Sequence, residues 1–219
     1  MIDLATKPNW RFDLIQGTDE WKACRAAKVT ASMVNDIFAE GTGKSRENAM
    51  AALVLELLTG SPRESFHNKH TERGTENEPM GRIAYEAYVG DEVGQVGFVD
   101  HRTIERYGAS PDGFRWDNGK FIGLELKNRT DAIHIAILNG KNIPKADMDQ
   151  MLAQMDCCEF EGVDYGSYNL KFPGKMALLI RRVWRTDEVE KTIRERRIKI
   201  KEFIEEAVNT AGDLRRKYE

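Results

Sequence analysis

The stretch SPDGFRWDNGKFIGLELK, residues 110–127, constrains the fold more than any other segment of the chain. Asn118-Gly119 at its centre is a strong two-residue hairpin signal, because a type I′ turn needs φ > 0 at both central positions and these residues adopt it at least cost. Once the turn is placed, the register follows. Asp117 faces Lys120, Trp116 faces Phe121, Phe114 faces Gly123 and Asp112 faces Glu125. Directly opposed Cβ atoms lie roughly 4.5–5.5 Å apart, and like charges at that separation are destabilising. Two carboxylates on one face of a hairpin therefore need a compensating partner.

Strand alternation sets Lys127 on that same face and turns Ile122, Leu124 and Leu126 to the other, as core. Two hard oxygen donors on a rigid support are what a divalent cation such as Mg²⁺ requires, and an adjacent lysine can hold a metal-bound water or, in its neutral form, deprotonate it. The plainer reading is a solvated hairpin on which Glu125 and Lys127 are ordinary surface charges. The register alone leaves both open.

A chain of 219 residues can bury a core without metal or disulfide staples. With 41% hydrophobic and 32% charged residues, no low-complexity linker and no solenoid repeat, residues 1–219 read as a single domain. The segment MIDLATKPNWRF lacks a basic region followed by an apolar run, and the apolar patches at 49–58 and 176–180 are too short to span a bilayer, so no membrane association and a cytoplasmic location are expected. Cys24, Cys157 and Cys158 show no metal-ligand spacing and no paired framework, which fits a reducing compartment. A net charge of −3 argues against non-specific coating of nucleic acid, while leaving room for a local grip on DNA.

Periodicity and caps predict helices over 18–26, 30–39, 46–59, 75–89, 133–139, 145–158 and 187–216, with strands over 95–100, 107–110, both hairpin arms, 165–171 and 176–184. The fold class is α/β (mixed α+β), a central mixed sheet flanked by helices.

Several other constellations bear on chemistry. GTGKS at 41–45 ends like a phosphate-binding loop, but Phe38 occupies the position of the leading glycine and a helix precedes it where a strand is required. A flexible basic loop is the better reading, with Lys44 and Arg46 either touching a DNA backbone or simply solvated. His67 and His70 lack a partner at ligand spacing and read as surface or hydrogen-bonded histidines; His101 and His134 are isolated. In RAAKVTAS, 25–32, a Thr30 cap places Ser32 in a first helical turn that favours an anion, and Arg25 reaches the same spot to hold a phosphate. The bland alternative is a helix-loop-helix with a surface arginine. Glu78 follows Thr75 by three residues, which makes it a capping-box glutamate or a third carboxylate aimed at the metal. Met148, Met151, Leu152 and Met155 form a core stripe, beside which Gln150 and Gln154 sit where a glutamine can orient water or phosphate.

Pro111-Asp112 followed by Glu125-Leu126-Lys127 resembles the signature of the PD-(D/E)XK nuclease superfamily. The order DEWKACRAAKVTAS, RGTENEPMGR, GASPDG, GLELK, DMDQMLAQM, covering roughly residues 21–155, resembles the phage lambda exonuclease family of viral alkaline exonucleases. The resemblance implies a restriction-endonuclease-like core and a Mg²⁺-dependent 5′→3′ exonuclease that degrades one strand of linear double-stranded DNA to 5′-mononucleotides. By that likeness Asp112, Glu125, Glu78 and the Leu126 carbonyl hold two Mg²⁺ ions, with Mn²⁺ able to substitute. Lys127 contacts the nucleophilic water, Gln150 is the active-site glutamine, and Arg25 with Ser32 binds the 5′-terminal phosphate. The family usually shows Gln-x-Gln, whereas here Met151-Leu152 follows Gln150. The likeness further implies a ring-shaped homotrimer and a single-strand annealing protein as partner. A restriction-like or structure-specific endonuclease of the same superfamily, and a non-catalytic DNA-end-binding adaptor, are the competing readings.

Overall fold

The computed structural model describes residues 7–39, 44–62 and 69–218, and for 69–78 the backbone alone. Among these residues the chain forms eight strands and seven α-helices. Strands β1 (Trp10–Arg11), β2 (Val29–Thr30), β3 (Phe98–Asp100) and β4 (Tyr107–Ala109) make one mixed sheet in the order β1-β3-β4-β2. A second mixed sheet, β5 (Gly113–Asp117), β6 (Lys120–Asn128), β7 (Gly162–Tyr168) and β8 (Leu178–Trp184), runs in the order β5-β6-β7-β8. The expected central sheet is thus divided in two, with Gly94 bridging to Phe114 just outside the first.

The hairpin register is the expected one. Asp117 pairs with Lys120, Trp116 with Phe121 and Phe114 with Gly123, and Asn118 and Gly119 take φ of 50° and 77°, as the type I′ turn demands. The expectation of one buried face is corrected. Strand β6 lies between antiparallel β5 and parallel β7, so it is central, and it is buried on both faces from Phe121 to Leu126. Leu124 and Leu126 pack with Tyr85 and Tyr168 in one apolar cluster, while Phe121 belongs to the main core with Phe160 and Met151.

Two helices define these faces. The first, α4 (Lys69–Val89), carries Tyr85 onto the Leu124 side. It runs through Thr75, so the capping box with Glu78 is not formed there, and Pro79 lies inside it. The second, α6 (Lys145–Cys158), covers the opposite face and is buried nearly all round, including Asp147, Asp149, Gln154 and Asp156. A buried acid needs a partner, and each finds one: Asp147 bonds Arg129, Asp149 pairs with Arg196 at 2.5 Å, and Asp156 accepts from Arg197 Nε at 2.6 Å.

The remaining helices are α1 (Asp19–Arg25), α2 (Val34–Ile37), α3 (Lys44–Thr59), α5 (Asp131–Leu138) and α7 (Asp187–Tyr218). Thr18 caps α1, its hydroxyl accepting from the Trp21 amide at 3.3 Å. Thr30 does not cap a helix; it ends β2 and is followed by a 3₁₀ turn, Ala31–Met33. Helix α7, roughly 48 Å long at 1.5 Å per residue, buries Ile193, Ile200, Phe203, Ile204, Ala207 and Ala211, a stripe at helical period. Arg46 pairs with Glu206 of α7 at 2.5 Å. Lys44 opens α3; residues 40–43 and His67 lie outside the described residues, as does the side chain of His70.

Candidate active site

At the C-terminal half of β6 the candidate residues converge. Glu125 is 1% exposed, a burial that a carboxylate tolerates only with charge and hydrogen-bond partners. Its Oε1 pairs with the Lys127 ammonium and its Oε2 accepts from Gln154 Nε2. Lys127 Nζ also donates to Gln150 Oε1 at 3.1 Å. Asp112, just before β5, accepts a hydrogen bond from the Leu126 amide at 2.6 Å, while its own amide donates to the Leu124 carbonyl at 3.1 Å. Burial pulls the Lys127 ammonium toward the neutral form, but the charges of Glu125 and Asp112 outweigh it and hold the group above its ordinary range. Glu125, Lys127 and Gln150 are thus brought into contact, and both carboxylates act on one ammonium.

Gln154 is the residue that the motif comparison passes over. It lies one turn beyond Gln150 on α6, fully buried, with its amide nitrogen committed to Glu125 and its Oε1 without a hydrogen-bond partner among the described residues. Asp147, Gln150 and Gln154 follow one another at i, i+3 and i+7 on the helix, and polar side chains at that spacing on a buried face were the available signal. Asp147 fixes the start of α6: it bonds Arg129, which follows β6, and accepts from Tyr165 Oη at 3.1 Å.

The donor set suits a hard divalent cation. Two carboxylates and a strand carbonyl, that of Leu126, are oxygen donors of the kind such an ion takes, and the orphaned Oε1 of Gln154 is a leftover acceptor beside Glu125. Among the described residues no three His, Cys, Asp or Glu side chains group as a metal site; the third candidate carboxylate, on Glu78, belongs to a side chain outside the described residues.

The pair Arg25 and Ser32 sits elsewhere and meets through Thr30. Arg25 Nη2 lies 3.5 Å from Thr30 Oγ1, which is 3.1 Å from Ser32 Oγ. The guanidinium stacks 3.9 Å from the centroid of the Trp21 ring and lines a cleft with Lys22, Lys28, Met33 and Glu56.

Histidine His134, isolated in the sequence, is fully buried in the structure; its Nδ1 meets Ser167 Oγ at 2.8 Å and its Nε2 the Met176 carbonyl at 2.7 Å. With both groups inaccessible, this pair ties α5 to β7 and to the loop before β8. Cys157 and Cys158 are unpaired thiols, and burial pushes both well above the ordinary thiol range. Among the described residues no helix is long and apolar enough to cross a membrane.

Comparison with known proteins gives the geometry a lineage. The model of the YqaJ-like viral recombinase domain matches residues 20–161, a span that contains Arg25, Asp112, Glu125, Lys127 and Gln150. The chain belongs to this family. No curated protein matches this YqaJ-like chain. Among solved structures it is similar to the alkaline exonuclease LHK-Exo of Laribacter hongkongensis, a lambda-exonuclease-type enzyme, at 36% identity and a TM-score of 0.80, over 91% of this chain and 97% of that one. The complex of LHK-Exo with dAMP matches to the same degree. A phage-related exonuclease of Haemophilus somnus, 15% identical with a TM-score of 0.59 over 86% of this chain and 98% of that one, shares the fold. The mixed α/β architecture of this YqaJ-like chain is therefore that of a PD-(D/E)XK exonuclease.

Proposed function

We propose that this chain is a Mg²⁺-dependent 5′→3′ exonuclease that degrades one strand of linear double-stranded DNA to 5′-mononucleotides and leaves a 3′ single-stranded overhang for recombination. The observation that carries the reading is the buried Glu125, joined to Lys127 and set beside Asp112 on a central strand. Family membership and the 36% identity to an alkaline exonuclease support a recombination exonuclease.

In this reading residues 1–219 act as one exonuclease domain. Asp112, Glu125, Glu78 and the Leu126 carbonyl hold the divalent ions, Mg²⁺ or Mn²⁺. Two such ions supply activation of the attacking water and stabilisation of the leaving 3′ oxygen. Lys127, held between Glu125 and Gln150, contacts the attacking water. Gln150 keeps the ammonium in place. Arg25 and Ser32 receive the 5′-phosphate, and seating that end brings the next phosphodiester to the carboxylates, so that recognition becomes proximity. A homotrimer and a single-strand annealing protein complete the reading.

The test digests linear duplex with 5′-phosphate or 5′-hydroxyl ends, and covalently closed plasmid, with and without Mg²⁺. Wild type is compared with Lys127→Ala and Asp112→Ala. Loss of mononucleotide release in both variants, with wild-type action confined to free ends, is the expected result. Cutting of closed plasmid would replace the reading with an endonuclease, and end binding without nucleotide release by wild type, unchanged in Asp112→Ala, would replace it with a non-catalytic end-binding adaptor.

A further inference from the structure

Trp21 stands between the two halves of the candidate site. It lies one turn before Arg25 on α1, and at i, i+4 the two side chains share a face. The guanidinium lies 3.9 Å from the indole centroid, a stack in which the ring face stabilises the cation and fixes the plane of its donors. The other side of the indole is anchored. Its Nε1–H points to the Gly97 carbonyl at 2.8 Å and to Ser110 Oγ at 3.0 Å, and Ser110 Oγ itself donates to the Gly97 carbonyl at 2.8 Å. Ser110 is two residues before Asp112, and the intervening Pro111 carbonyl accepts from Gln16 Nε2 at 2.9 Å.

An uninterrupted run of contacts therefore leads from Arg25 through the indole to Ser110 and along a restrained backbone to Asp112. The same indole lines the cleft that holds Arg25 and a second cleft formed by Phe12, Ile15, Gln16, Pro79 and Arg82. Packing alone accounts for one acceptor on the indole N–H, but not for the cation stacked on its face.

We propose that Trp21 is a positioning residue that sets the span between the 5′-phosphate pocket and the Asp112 carboxylate, by stacking on Arg25 and donating its indole N–H to Gly97 and Ser110. That span decides which phosphodiester reaches the carboxylates once the end is seated, and so the size of the product. The inference rests on the proposed exonuclease reading, with Arg25 as phosphate ligand.

The experiment uses the full chain with Trp21→Phe, which keeps a ring under Arg25 but lacks the N–H, and Trp21→Leu, which removes both. Binding of 5′-phosphate and 5′-hydroxyl duplex is measured by fluorescence anisotropy in EDTA, and product length and the kcat/KM split in Mg²⁺. Urea midpoints verify folding. Trp21→Phe is expected to bind phosphorylated ends within about twofold of wild type yet lose about 10- to 100-fold in kcat, since misplacement by about 1 Å costs on that order, and to release dinucleotide with the mononucleotide. In Trp21→Leu the binding preference for the phosphate should also fall, by about 2- to 30-fold for a lost stack of roughly 0.5–2 kcal/mol. If Trp21→Leu does not fold, Trp21→Phe alone decides through kcat and product length. Wild-type kcat and mononucleotide-only products in Trp21→Phe would overturn the inference. Absence of any 5′-phosphate preference in wild type would instead overturn the end-recognition reading on which it rests.

Discussion

Replacing Gln154 by methionine separates the resting protein from the ion-loaded one. Methionine fills nearly the same volume and adapts to irregular gaps, so two effects dominate. The variant loses the hydrogen bond from Gln154 Nε2 to the buried Glu125 carboxylate, worth about 1.5–3 kcal/mol for a charged acceptor. It also removes Oε1, which is buried without a partner among the described residues and carries a desolvation cost of about 1–3 kcal/mol. The two nearly cancel. Without divalent ions the unfolding free energy should stay within about 2 kcal/mol of wild type, since each range offsets the other. With ions the balance changes, because Oε1 is the acceptor available to a hydrated cation and Nε2 is what orients Glu125. Outer partners of this kind typically contribute 10- to 100-fold to metal affinity, about 1.4–2.8 kcal/mol at 1.4 kcal/mol per decade. Urea unfolding in EDTA and in saturating Mg²⁺, with Mn²⁺ affinity followed by electron paramagnetic resonance, reads both effects. A metal-free loss above about 3 kcal/mol would show that Oε1 is satisfied, and an Mn²⁺ affinity within twofold of wild type would remove Gln154 from the ion site.

Tyr85→Phe should cost about 1–2 kcal/mol in urea, because Tyr85 Oη donates to Asp164 at 2.6 Å and accepts from Arg115 at 3.2 Å while Arg182 continues to hold Asp164 with two bonds; an unchanged midpoint would mean that the hydroxyl contributes nothing to docking α4. In Gly123→Ala the new Cβ would lie 2.4 Å from the Phe160 ring, an overpacking of about 1–3 kcal/mol that should lower Tm by roughly 2–4 °C per kcal/mol, and a melt matching wild type would refute the close contact. Burial raises the pKa of Asp156, but hydrogen bonds from His101 and Arg197 outweigh it and hold the carboxyl below its ordinary value. With the folded pKa below the unfolded value of about 3.9, the stabilisation is present above that pH and disappears as pH falls through the folded pKa. Asp156→Asn should therefore be clearly destabilised at pH 7, with the gap to wild type narrowing as the pH falls below the ordinary aspartate range, whereas a gap that does not change with pH would refute the assignment.

Local chemistry made much of this legible in advance. Asn118-Gly119 forces one register whatever surrounds it, and so Asp112, Glu125 and Lys127 could be placed before any tertiary contact was known. Helix α6 shows its limits in the same way, through a continuous stripe ending at Glu159, whose φ of 60° closes it. What stayed hidden depends on partners distant in sequence. Strands β1 and β2 are two residues each and exist only because Trp10 meets Val99 and Val29 meets Tyr107. Thr75 looked like a cap because the residues after it fit a first turn, yet the helix begins at Lys69. The burial of both faces of β6 follows from α4 on one side and α6 on the other, both distant in sequence. Gln154 looked like one more polar residue beside a methionine stripe, and His134 looked solitary, until Glu125 and Ser167 were brought against them.

The long helix α7 has a consequence for how the molecule comes into being. Its Phe203 and Ile200 complete the same core that Val29, Val34 and Leu53 begin, and Arg215 donates to the Leu57 carbonyl at the end of α3, at 2.7 Å. On the ribosome these early segments emerge well before α7, so this part of the core stays open until α7 has followed them. A nascent chain long enough to display Asp112 and Glu125 would still lack the helix that closes that core.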